Sequence, residues 1–247
     1  MENINNSYFQ GFYKEIWRST VPEQVTEKET QFFQDFFHLG SQSNVIDLMC
    51  GFGRHALALA RRGINVTAID NLKDYTDELQ QTAAAEKLPI TVDTGDLLKI
   101  EIEGYYDLAI CMGNSLNFFP EHDILSILEK VGKRLKIGAH IVINTWSLTE
   151  IVAKGLIEKQ WSTFEDLYLL SESNYMFQPT RIETYTTIFK DDTKAENKTA
   201  IDYIFSLSEM ERMLQKSGFI YEQTFSIPGR KQFALGDPRA YIVARRV

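Results

Sequence analysis

Over the first 145 residues, short apolar runs alternate with stretches whose apolar positions recur every three or four residues. The runs 45–49, 64–69, 90–92, 106–112 and 140–145 read as strands, and the stretches between them as amphipathic helices. A first helix is expected from Thr26, where Thr26 and Glu29 fit a capping box. Phe32, Phe33, Phe36 and Phe37 then line one face, and Gly40-Ser41 stop it. A second spans 54–62 and is closed by Gly63. A third is capped by Asn71 and stops near Pro89. A fourth starts near Pro120, carries Ile124, Leu125, Ile127, Leu128, Val131 and Leu135 as its buried stripe, and ends at Gly138. Strands alternating with helices at this spacing predict an α/β fold with a doubly wound, mostly parallel sheet.

Residues 146–205 break the rhythm. After a short helix near 148–157, aromatic and β-branched runs at 167–177, 181–189 and 199–205 predict an antiparallel β insert, with the polar run 190–198 as an exposed hairpin loop. Ser206 and Glu209 then form a second capping box, the helix runs to Ser217, and 219–227 and 239–247 return to the sheet with an antiparallel last strand. No linker separates independent units. The expectation is one domain over 1–247, with an N-terminal helical cap over 1–40 and the insert 146–205 lying over it as a substrate lid.

At 247 residues the chain can bury a large core without disulfide or metal support, and no apolar run is long enough to span a bilayer. The opening has no basic segment followed by an apolar one, so the expected location is cytoplasmic. A net charge of −8 makes long nucleic acids poor partners, although Arg230, Lys231, Arg239, Arg245 and Arg246 make a basic C-terminal edge. Two cysteines and four histidines, without ligand spacing, predict no metal site.

The chemistry concentrates in 45–60, VIDLMCGFGRHALALA. A strand ends in Asp47, and Gly51-Phe52-Gly53 turns the chain into a helix whose first N–H groups face a ligand. Gly51-x-Gly53-x-x-Ala56 followed by Asp70 formally matches a dinucleotide fingerprint. Asp47 argues against that ligand. A carboxylate about 4 Å from a pyrophosphate charge meets roughly 1 to 4 kcal/mol of repulsion, whereas an ammonium or sulfonium would attract it. Asp96, ending the third strand, adds another acid. Three acids around a glycine turn suit a cationic nucleoside.

Together, residues 45–60, Val66 to Asp70, Gly95-Asp96-Leu97 and Cys111 to Ser115 resemble a class I S-adenosylmethionine-dependent methyltransferase. The layout is similar to bacterial small-molecule enzymes of the amine and amino-sugar type. The resemblance covers 40–145 and 206–247, and implies a seven-stranded Rossmann-like sheet with its last strand antiparallel. It implies S-adenosylmethionine as cofactor. Asp47 to Gly53, including Cys50, would hold its methionine part, and Asp70 its ribose. Asn71 would lie beside Asp70, Asp96 and Leu97 at the adenine, and Met112, Gly113 and Asn114 beside the sulfonium. One position departs from the family: Met49 stands where glycine is usual, so either the turn begins a residue later or cofactor affinity is weaker. Tyr13 and Trp17, in the aromatic run 8–18, are expected to line the cofactor pocket, ordinary helix packing being the other reading.

His55, Asn114 and Tyr175 are the catalytic candidates, with a packed or solvated histidine as the alternative for His55. Arg54 would pair with the cofactor carboxylate or remain an exposed cation. Tyr185 faces either substrate or core, and Cys111 is a core residue. The expected partner is a small molecule accepting a methyl group on nitrogen or oxygen, and the chain is a monomer or homodimer. The alternatives are a macromolecular methyltransferase, acting on protein or RNA, and a non-catalytic nucleoside- or dinucleotide-binding module.

Overall fold

The computed structural model describes residues 3–190 and 193–247. Three helices open the chain: α1 (Asn5–Tyr8), α2 (Phe12–Thr20) and α3 (Glu23–Phe36). The alternating region follows: β1 (Asn44–Leu48), α4 (Arg54–Arg61), β2 (Asn65–Asp70), α5 (Lys73–Glu86), β3 (Ile90–Thr94) and β4 (Tyr106–Cys111). A single 3-10 turn (Ser115–Phe118) leads to α6 (Glu121–Gly132), β5 (Leu135–Thr145) and α7 (Thr149–Gly155). Then come β6 (Lys159–Phe164), β7 (Leu167–Phe177), β8 (Thr180–Lys190) and β9 (Thr193–Tyr203). The chain closes with α8 (Leu207–Lys216), β10 (Phe219–Ile227), β11 (Lys231–Gln232) and β12 (Ala240–Arg246).

The main sheet has the order β11-β10-β12-β5-β4-β1-β2-β3. Strands β3, β2, β1, β4 and β5 are mutually parallel, while β12 is antiparallel to both β5 and β10. The expected seven strands are present, and β11 adds an eighth at the edge; two residues are too few to show alternation. Val45, Ile46 and Leu48 of β1 are buried, as are Leu108 to Cys111 of β4, because helices cover both faces of a parallel sheet. Strand order reverses between β1 and β4, which opens a crevice beyond their C-terminal ends.

The insert is a separate four-stranded antiparallel meander, β6-β7-β8-β9. Strand β6 was invisible as a pattern because its positions are mostly exposed. The run expected as a loop at 190–198 is largely strand: Lys190 pairs with Thr193 and Ile188 with Glu196, while 191–192 lie outside the described residues. Backbone pairing holds this polar segment. Its side chains also serve the cap, since Lys198 Nζ donates to the Ser7 carbonyl at 3.1 Å.

Two helix boundaries also differ from expectation. Pro22 precedes α3 with φ −59° and ψ 141°, a ready helix entry, so α3 begins at Glu23 and Thr26 and Glu29 lie inside it. No Thr26 cap forms. Helix α6 stops at Gly132, where a Cβ would come within 3.3 Å of Phe219 and of the Ser217 carbonyl, and Leu135 already belongs to β5. The Ser206–Glu209 capping box is formed.

Candidate active site

The C-terminal ends of the parallel strands border a partly open cavity. Gly51, Asp70, Asp96, Leu97 and Gly113 line it from the sheet side, and Asn5, Phe9 and Trp17 roof it from the N-terminal helices. Asp70 is its best-anchored carboxylate. Oδ2 accepts the Gly51 N–H at 2.7 Å and Oδ1 the Leu72 N–H at 2.9 Å, which ties the glycine turn to the start of α5. Burial holds this carboxyl above its ordinary range. Asn71 does not cap α5. Its amide donates to Asn6 Oδ1 at 2.8 Å, linking α5's entry to the roof.

The glycine turn divides its labour. A Cβ on Gly51 (φ +57°) would meet nothing within 4 Å, so that position leaves room for a ligand. A Cβ on Gly53 (φ +77°) would come within 2.5 Å of Leu79, so Gly53 serves helix packing. Met49 has φ 54°, the left-handed conformation that glycine adopts without strain. The turn therefore does not begin a residue later; methionine occupies the usual glycine position and its side chain lines the cavity.

Asp47 is buried at the end of β1, and its Oδ2 has no hydrogen-bond partner. Burial pushes its carboxyl up to about 7, with Arg54 pulling the other way. Asp96 sits at the opposite rim, accepting the Leu98 N–H at 3.0 Å and pairing with Lys99 at 2.9 Å. Although burial opposes it, these contacts hold Asp96 below its ordinary range. Cys50 and Met112 pack in the core beside the turn and do not line the cavity, and burial pushes the Cys50 thiol well up. Cys111 is a core residue whose thiol burial raises to about 12.

Several candidates serve the scaffold. His55 is buried, with Nε2 2.8 Å from Glu29 Oε2. Burial, and then Arg54, lower it to about 4, so the ring is neutral and donates to Glu29. Glu29 also accepts Arg54 Nη1 at 2.8 Å and the Tyr241 hydroxyl at 2.7 Å. Burial would raise Glu29, but these partners bring it to about 2. His55 thus joins α3 to α4, away from the cavity, and is no general base. Asn114 is fully buried and fully used: Nδ2 donates to Ser147 Oγ and Asp202 Oδ1, and Oδ1 accepts Thr145 Oγ1 and the N–H groups of Trp146 and Ser147. It has no donor left for a substrate.

Tyr13 packs against the Ile16, Leu167, Leu169 and Ile188 cluster and lies tilted against Tyr8, ring centres 4.2 Å apart, outside the cavity lining. Trp17 does line the cavity, with Cζ2 3.4 Å from where a Cβ on Gly113 would stand. Trp17 and Gly113 also line a neighbouring cleft with Arg54, Trp146 and Arg239. Arg54 is held there by Thr26 and Glu29, so it is neither a free nor an exposed cation. Tyr175 is half-buried and edge-on to Phe177 at 5.5 Å. Tyr185 is on the opposite, solvent-facing side of the meander.

Residues 45–138 match a family model described as a methyltransferase domain. Among curated relatives, a ubiquinone biosynthesis O-methyltransferase from Rickettsia prowazekii is 24% identical over 213 residues, covering 79% of this chain and 81% of the relative. A solved S-adenosylmethionine-dependent methyltransferase from Clostridium acetobutylicum superposes with TM-score 0.80 at 14% identity, covering 95% of this chain and 96% of that one. An amino pentose methyltransferase from Micromonospora echinaspora, solved with S-adenosylmethionine bound, gives TM-score 0.73 at 15% identity over 96% and 98% of the two chains. Residues 45–138 thus carry a methyltransferase domain, on a chain with the fold of class I S-adenosylmethionine-dependent methyltransferases. The site fits that cofactor: Gly51 leaves open backbone, Asp70 stands in a cavity walled by Ile69, Leu97 and Phe119, and Asp47 keeps an orphaned buried oxygen behind the turn, outside the cavity lining.

Proposed function

We propose that this methyltransferase acts on a small-molecule acceptor, and that residues 1–40 and 146–205 enclose it. The observation that carries this reading is the roof: Asn3, Asn5, Phe9 and Trp17 line the cavity across from the strand ends, and α1 is pinned to β9 by Asn5. A roof in this place favours a small acceptor over a folded macromolecule. The basic C-terminal edge, which would favour RNA or an acidic protein, is partly neutralised from within. Arg245 pairs with Glu222 at 2.7 Å and Lys231 pairs with Asp237. Among the described residues no helix is long and apolar enough to cross a membrane.

When bound, S-adenosylmethionine supplies a methyl group on a sulfonium, displaceable by a nucleophile without a metal. In this reading Asp47 receives the cofactor's ammonium, Asp70 its ribose hydroxyls, and Asp96 with Leu97 its base. The protein's contribution is alignment and exclusion of water. Incubating the enzyme and S-adenosylmethionine with the low-mass filtrate of a cell extract tests this. Mass spectrometry should find a metabolite heavier by one methylene, formed by wild type and lost with Asp70→Ala. No such product, with cofactor binding intact, would overturn the small-molecule reading.

A further inference from the structure

Asp202 carries no sequence signature, yet it stands where the three parts of the molecule meet. It lies on β9, in one cross-strand row with Ile182 and Tyr175, so these three share a face of the meander. On that face Thr186 and Tyr8 are hydrogen-bonded at 3.0 Å, which shows that it is the side turned toward the cap. From the main sheet, Asn114 donates to Asp202 Oδ1 at 2.7 Å, and Asn114 directly follows Gly113 of the cavity wall. Asn5, another lining residue, grips the neighbouring Ile201 through both its N–H and its carbonyl.

The carboxylate is poorly compensated. Asn114 is its only hydrogen-bond partner among the described residues, and no lysine, arginine or histidine pairs with it there. The groups around it are neutral or engaged elsewhere. Tyr8 and Tyr13 face it from the cap with hydroxyls that burial pushes up. Ile182 is its neighbour on β8, where Arg181 and Glu183 pair with each other at 2.6 Å. Lys198, further along β9, pairs with Glu196 at 3.3 Å. Oδ2 accepts no hydrogen bond from the described residues, and Asp202 is half-buried. A desolvated carboxylate with one oxygen fixed and the other unpaired is suited to receiving an N–H donor that carries positive charge.

We propose that Asp202 is the proton acceptor of the reaction and that the methyl acceptor is a protonated amine. The proposal rests on the small-molecule reading above. The amine enters as an ammonium bound to Oδ2. Its N–H bond breaks, the electron pair stays on nitrogen, and the proton forms an O–H bond with Asp202. Ammonium plus carboxylate becomes neutral amine plus carboxylic acid, and charge balances. The lone pair so released is the nucleophile. Asn114 is a positioning residue that holds Oδ1 while Oδ2 works. Burial raises this carboxyl to about 7, so it changes charge where such a base is most effective.

The test uses the full chain, with Asp202→Asn as the variant because Asn114 can still donate to the remaining carbonyl. Three readouts apply. Calorimetry should give S-adenosylmethionine affinities for wild type and variant within about twofold. Carbon-13 NMR of labelled aspartate in wild type should show Asp202 titrating near 7. With millimolar ethanolamine that midpoint should fall, and ethylene glycol should leave it in place. Methyl transfer to the extract filtrate should drop about 100-fold or more in the variant, chiefly in kcat, with loss of the acidic limb of the pH profile. Turnover within a few-fold of wild type with the limb intact would overturn the proposal. So would an Asp202 that titrates as an ordinary exposed carboxylate and ignores ethanolamine. Wild-type protein that forms no methylated metabolite would overturn the small-molecule reading instead.

Discussion

Two carboxylates near the cofactor site behave in opposite ways, and each yields a prediction. Asp70 anchors two backbone N–H groups as well as facing the cavity. Asp70→Ala should therefore lower apo stability by about 2 to 4 kcal/mol, because each N–H left unpaired in a buried site costs about 1 to 3. Cofactor affinity should fall about 30- to 1,000-fold, as expected for losing charged hydrogen bonds to two hydroxyls. Paired melting and titration would check both; unchanged apo melting would show the two backbone contacts to be idle. From the sequence Asp70 was legible as a ligand residue but not as an anchor, because Asn71 looked like the cap that would leave it free. Asp47 is different. Its carboxyl is raised to about 7 by burial, so the folded state favours its neutral form, and the stability this gives is lost as pH rises from about 4 through 7. Asp47→Asn should stabilise the apo protein at pH 8 by on the order of 3 kcal/mol and hardly at pH 5, read by denaturant titration at both. Wild-type cofactor affinity should drop up to about tenfold per pH unit below 7, since the ammonium needs the ionised carboxylate. An affinity flat from pH 6 to 8 would separate Asp47 from the cofactor.

At the scale of elements, α3 and α4 are joined by Glu29, Arg54 and His55, and the cap is joined to α5 by side chains alone. His55→Ala should destabilise by about 2 to 4 kcal/mol, with a cavity and an unpaired Glu29 oxygen left behind. It should leave the pH dependence of kcat unchanged, because a ring that titrates near 4 and faces α3 cannot supply a base near neutrality. A pH–rate limb lost in this variant would contradict that assignment. Two latches hold the start of the cap, Asn6 to Asn71 and the Tyr75 hydroxyl to the Phe9 carbonyl at 2.8 Å, beside the exposed pairs of Lys14 and Arg18 with Glu78. Asn6→Ala with Tyr75→Phe removes both latches, about 1 to 3 kcal/mol together. Stopped-flow measurement should show cofactor release faster by roughly 5- to 150-fold, and amide exchange should rise over residues 5–20. Equal release rates would mean that the cap is not a gate. Strands β1, β2, β4 and β5 were legible because burial on both faces leaves apolar runs. The misplaced start of α3 and the missed β6 share one cause: a proline entry and an exposed edge strand leave no polar cap and no alternation to read.

The molecule as a whole is a mostly parallel sheet that lines the cavity from one side, a helical cap that roofs it, and an antiparallel meander to which the cap is bonded. The half on the sheet was readable in sequence, because glycines and acids at strand ends are local signals. Of the roof only Trp17 was. Asn5 reaches Ile201, Glu29 reaches Tyr241 and Asn114 reaches Asp202, and separations of that order leave no trace in a local pattern. For the same reason the sequence drew attention to His55 and Asn114, which stand in the motif but serve the scaffold, and passed over Asp202. The central claim is that this enclosure selects a small acceptor. Its most direct test is to incubate the protein with S-adenosylmethionine labelled in the transferred methyl group and a whole-cell extract, then separate metabolites, protein and RNA. The account predicts label in the low-mass fraction, dependent on the enzyme and abolished by Asp70→Ala. Enzyme-dependent label in protein or RNA, with none in metabolites, would contradict it.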